Sequence, residues 1–124
     1  MSRRRPDAAA LDAASRTAAR ISSGDTVARP DLAAAVRVTL AELAHRNPGR
    51  LVEVRVPPFA AVQIGAPGAS SVHTRGTPPN VVETDPATWL ALASGRLGWD
   101  DARAAHQVSA SGTHASLHGM LPVF

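Results

Sequence analysis

A chain of 124 residues buries one hydrophobic core and leaves little room for a second. With no Cys, Lys or Tyr it offers no thiolate or disulfide, no Schiff-base or phosphate-loop lysine, and no phenolic acid or base, which removes many enzyme classes at once. The formal charge of +3 equals the three arginines Arg3 to Arg5, so the remainder is neutral and lacks the basic stripe with stacking aromatics of a nucleic-acid reader. No apolar run approaches the roughly 18 to 20 residues of a membrane span, and no continuous apolar segment of a signal peptide follows Arg5. The expectation is a soluble, cytoplasmic protein with no stable membrane insertion and no nucleic-acid partner.

In chain order, residues 1–6 read as a disordered basic tail and residues 7–124 as one domain. Asp7 to Ser23 places Leu11, Ala14, Ala18 and Ile21 at helical spacing and ends at Gly24, which predicts a helix with a weak apolar face. Pro30 to Arg46 is a stronger helix: Leu32, Val36, Leu40 and Leu43 form its stripe, Asp31 sits in its first turn, and Asn47-Pro48-Gly49 stops it. Leu51 to Val56 alternates, with Val52, Val54 and Val56 on one face and Glu53 and Arg55 on the other. Phe59 to Ile64 follows as a second strand after the bend of Pro57-Pro58. Short strands are predicted at Ser70 to Gly76, Asn80 to Thr84 and Gln107 to Ser111.

The C-terminal third is the most ordered stretch. Asp85 is an N-cap with Pro86 at the first helical position, Trp89, Leu90 and Ala93 share a stripe, and Gly95 stands where a left-handed cap is needed. Leu97 and Trp99 lead into a second short helix with Asp100 and Asp101 in its first turn, where carboxylates favour the dipole. A last short helix is expected over the segment from Gly112 that carries Leu117 to Pro122.

That order of segments, from about Asp31 to the C-terminus, resembles the sterol carrier protein-2-like superfamily, and within it the bacterial sterol-carrier orthologue group of high-GC bacteria. Val52 to Gln63 and His73 to Asp85 look like that group's strand and loop segments, and the four matching segments come in the right order. The resemblance implies an α+β domain, an α/β sandwich with a small mixed or mostly antiparallel five-stranded sheet covered by helices on one face. The helix over residues 7–23 lies outside it. His106 departs from the family pattern, which favours a small residue there.

The resemblance also implies a non-catalytic carrier for an apolar ligand, such as a fatty acyl or sterol-like molecule, held between sheet and helices without a cofactor. The residues expected to bury it are Val54, Val56, Val62, Ile64, Trp89, Leu92, Val108, Leu117 and Leu121, with Arg75 in the polar loop His73 to Asn80 holding a carboxylate at the mouth. Each has a plainer reading: Trp89 and Leu90 simply fill the core, and Arg75 pairs with an acid such as Glu83. The alternative function is an accessory or interaction domain with a closed cavity, related to the C-terminal module of mycothiol-dependent maleylpyruvate isomerase-like enzymes. His114 and His118, at i, i+4 on the expected last helix, have the spacing of a metal pair but no evident third ligand, and are read as a solvated helix face. The expected oligomeric state is a monomer or weak homodimer.

Overall fold

The computed structural model describes residues 5–66 and 80–124. Helix α1 (Ala8–Ser22) starts where the Asp7 carboxylate accepts the Ala10 N–H, and α2 (Arg29–Arg46) starts with Pro30 in its first turn. Strands β1 (Val52–Val56), β2 (Ala60–Ile64) and β3 (Asn80–Thr84) follow, then helices α3 (Pro86–Ala93) and α4 (Trp99–Ala104) and strand β4 (Val108–Ser111). The described strands form one mixed sheet of four in the order β2-β1-β3-β4, with β1 and β3 parallel and the outer pairs antiparallel. The fifth expected strand, Ser70 to Gly76, lies outside the described residues.

Register puts all the buried strand positions on one face. Val54 faces Val62 on one side and Val82 on the other, Val52 is flanked by Ile64 and Asn80, and Thr84 faces Val108. These side chains join Val36, Leu40, Leu43, Trp89, Leu90 and Leu92 in one hydrophobic cluster. The opposite face carries Glu53, Arg55, Gln63, Glu83, Ser109 and Ser111, none of them buried, and Arg55 donates to Glu53 at 2.8 Å. The alternation Val-Glu-Val-Arg-Val therefore encodes a half-buried sheet with helices on its apolar side.

Helix α2 is central and is buried on more than a narrow stripe, because α1 packs on one side of it and β2 and α3 on another. Thr39 and Glu42 are enclosed as a result. α1 packs on α2, and small residues on both are buried: Ala14 and Ala18 on α1, Ala33 and Ala35 on α2.

Three helices end in the same hydrogen-bonded turn. After α3, Gly95 N–H donates to Leu92 O and Arg96 N–H to Ala91 O, with Gly95 at φ +78°. α1 closes likewise at Gly24, and α4 at His106. This paired closure satisfies the last helical carbonyls and requires a left-handed residue, which Gly adopts without steric cost.

The chain after β4 corrects one expectation. Residues 112–124 form turns and extended chain and contain no helix. Their N–H groups are taken elsewhere: His114 N–H donates to the Asn80 side chain at 2.9 Å, His118 N–H to Ser116 Oγ at 3.1 Å, and Val123 N–H to Ala93 O at 2.9 Å. Gly119, at φ +82°, breaks any helical run. His114 and His118 thus do not share a helix face.

Candidate functional site

The sequence-predicted lining residues separate into two groups. Val54, Val56, Val62, Ile64 and Trp89 are 0 to 3% exposed and make the packed interface between sheet and helices, with Val108 at its margin. Trp89 is fixed there by a hydrogen bond from Nε1 to Thr39 Oγ1 at 2.8 Å, and the Thr39 hydroxyl in turn donates to Ala35 O at 2.7 Å. A buried indole N–H thereby finds its partner on the neighbouring helix, and Thr39 is a residue the sequence pattern did not single out.

Leu92 and Leu117 are fully buried in the same core and, with the partly buried Leu121, also border a groove of about 450 Å³ between the end of α3, the start of α4 and the C-terminal turns. That volume lies within the roughly 300 to 1,000 Å³ of small-molecule sites. Leu97, Trp99 and Pro122 complete its apolar lining, and Asp100, Asp101 and His118 line it as well. Arg75 lies outside the described residues, as do His73, Thr74 and Thr77.

Local sequence explains why the groove forms. The glycine closure after α3 reverses the chain so that Leu97 and Trp99 return across the end of that helix. The Val123 N–H bond to Ala93 O draws the C-terminal segment alongside it. Gly95 lies beside Pro122, where a Cβ would make only ordinary contact at 3.4 Å, so it is the φ of +78° that favours glycine here. Asn80 holds the other end of this segment, donating to Leu51 O at 3.0 Å while accepting from His114 N–H.

Every element except α1 falls within a match to a family model described as bacterial SCP ortholog, which covers residues 28–123. The chain belongs to that family. No curated protein matches it. Within the SCP-like region the groove is built wholly from matched residues, since its lining runs from Leu92 to Pro122. Among the described residues no helix is long and apolar enough to cross a membrane, and no three His, Asp or Glu side chains are placed to hold a metal ion.

The groove lining beyond the three leucines was not evident from periodicity. Leu97 and Trp99 were visible as an apolar lead into a helix, but Asp100, Asp101, His118 and Pro122 meet only through the long-range tie of the C-terminal segment. The available signal was the concentration of Gly95, Gly98, Gly119 and Pro122 around few large apolar residues, a composition of turns converging on a cleft.

Proposed function

We propose that this SCP-like domain is a non-catalytic carrier that holds an apolar small molecule in the groove between α3, α4 and the C-terminal turns. The observation that carries the reading is a groove of about 450 Å³ in which Leu97, Leu121 and Pro122 present apolar surface over the buried Leu92, Trp99 and Leu117, in a family of sterol-carrier orthologues. Binding there differs from the first expectation of a cavity between sheet and helices, where Val54, Val56, Val62, Ile64 and Trp89 are 0 to 3% exposed, because Leu97, Leu121 and Pro122 keep accessible surface. Burying roughly 200 Å² of alkyl surface contributes on the order of 5 kcal/mol before association costs of about the same size or more, so a ten-carbon chain is expected to bind weakly. Residues 7–124 act as one such domain, in the cytoplasm, as a monomer or weak homodimer.

Trp99 supplies the test. Decanol titrated into the full chain is expected to change tryptophan fluorescence saturably with one-to-one stoichiometry, with matching heat by calorimetry. Trp99→Phe is expected to abolish most of the optical change, because Trp89 sits in the core against Thr39. A folded sample that gives neither heat nor spectral change with alcohols, sterols and fatty acids would reverse the reading in favour of an accessory domain.

A further inference from the structure

A second groove, of about 500 Å³, lies between the segment before α1 and helix α2. Its apolar lining is Pro6, Ala10, Val38 and Ala41, each of them half-buried, so it presents surface that a ligand can still cover. Arg5 and Arg37 line it too, and both are exposed. Residues 5–7 stand outside the family match at 28–123, and they border this groove because Glu42 on α2 holds Arg5. The enclosed Glu42 carboxylate accepts Arg5 Nε–H at 3.3 Å and an Nη2–H at 3.1 Å. A guanidinium has further N–H groups, so the Nη1 pair of Arg5 is left without a partner among the described residues, on a side chain 58% exposed. Arg37 enters no ion pair among the described residues.

The carboxylates nearby are already engaged. Glu42 is enclosed and shared by Arg5 and Arg46, and Asp7, which also lines the groove, accepts the Ala10 N–H at 2.8 Å. An arginine held in one geometry by a buried carboxylate loses less freedom when it takes an anion, and its fork matches two carboxylate oxygens. A hydroxyl head group gains no such charge-assisted pair. We propose that this groove binds a carboxylate-bearing amphiphile, the carboxylate on Arg5 and Arg37 and the alkyl chain over Pro6, Val38 and Ala41. The site is separate from the groove at α3 and α4, which Asp100 and Asp101 line and no Arg does, and it does not rest on the carrier reading of that groove.

Decanoate and decanol share one chain and differ in head group, and backbone amide shifts of the isotope-labelled full chain report where each one binds. Both are titrated below aggregation, near neutral pH and at low salt, where the acid is ionised. Decanoate is expected to shift the Ala10, Val38 and Ala41 amides saturably, with about fivefold tighter binding at these positions than decanol. That preference is expected to shrink at about 0.5 M salt, where screening shortens to a few ångströms. Arg37→Gln removes an exposed group with no ion pair, so its melting transition is expected to stay in place while decanoate affinity falls about fivefold and decanol affinity holds. Equal affinity for acid and alcohol at Ala10, Val38 and Ala41 overturns the proposal. So does a preference for the acid that survives in Arg37→Gln. Silence at these three amides overturns it as well; if the Leu97 and Leu121 amides respond in that case, the carrier reading stands alone.

Discussion

His106 holds φ at +57°, and it is the one described residue other than glycine in the left-handed region. Its N–H donates to Arg103 O and the next N–H, of Gln107, to Ala102 O, so it does at the end of α4 what Gly95 does at the end of α3. A side chain in that conformation costs on the order of 1 to 2 kcal/mol, whereas glycine loses more freedom on folding by roughly 0.4 to 1 kcal/mol. The difference predicts that His106→Gly raises stability by up to about 1 kcal/mol, measured by urea unfolding. A loss instead would mean that the imidazole makes a stabilising contact. That φ value is a physical reason to expect a small residue at this position, and with His in place the turn keeps its geometry. Trp89 shows the opposite limit. Its helical stripe was plain from spacing, whereas the Thr39 hydroxyl that receives its N–H lies 50 positions away and leaves no local signature.

At the scale of elements, capping chemistry made the helices readable. Asp7 and Asp85 each accept an N–H three residues on, and Gly24 and Gly95 take the closing position, so the predicted and observed boundaries of α1 and α3 agree to within about a residue. Strand β1 was equally direct, because alternation and the buried face coincide; β3 has the expected bounds, but its buried positions are Asn80, Val82 and Thr84, which no apolar alternation marks. The segment after Gly112 was misread because leucine and histidine spacing imitates a helix there. What decides it are bonds from Asn80 and Ala93, one on a strand and one on a helix far away in sequence. The contact of α1 with α2 was only half legible. An alanine-rich face either brings backbones together or leaves space, and here Ala14, Ala18 and Ala35 are buried to 2 or 3% exposure while a small groove of about 150 Å³ remains between the helices beside Ala14 and Ala35. Ala18 is 3% exposed and does not line that groove, so a larger side chain there has to displace its neighbours. Ala18→Leu is therefore expected to destabilise by about 1 to 3 kcal/mol, read as a lower unfolding midpoint with unchanged slope. A neutral result would show that α1 swings away from α2 at little cost.

Across the whole molecule, Glu42 ties the segment before α1 to the central helix of the SCP-like region. Its side chain is fully enclosed, yet Arg5 donates to both carboxylate oxygens at 3.1 and 3.3 Å and Arg46 to one at 2.6 Å. Burial by itself pushes this carboxyl's pKa up, but the hydrogen bonds and charges of Arg5 and Arg46 outweigh it and hold the value below the ordinary one. The folded state therefore resists protonation more than the unfolded chain does. The stabilisation is complete above the ordinary Glu value of about 4.3 and is lost as pH falls through the lower folded value. Both guanidinium groups remain partly exposed, at 58 and 42%, so solvent screens the pair and the contribution belongs nearer a strong hydrogen bond than a fully buried ion pair. Glu42→Gln is expected to cost about 1 to 3 kcal/mol near neutral pH, with the gap from the native chain narrowing below about pH 4.3. Arg5→Ala removes one of the groups that lower the pKa while burial still acts to raise it, so the folded value moves back toward the ordinary one, and the acid-dependent loss from this carboxyl should be smaller and complete at a higher pH in that variant. Urea unfolding of all three chains between neutral and acidic pH measures both effects. A gap between Glu42→Gln and the native chain that stays constant down to about pH 3 would mean that Glu42 acts through packing, and that the segment before α1 is held by something other than this carboxylate.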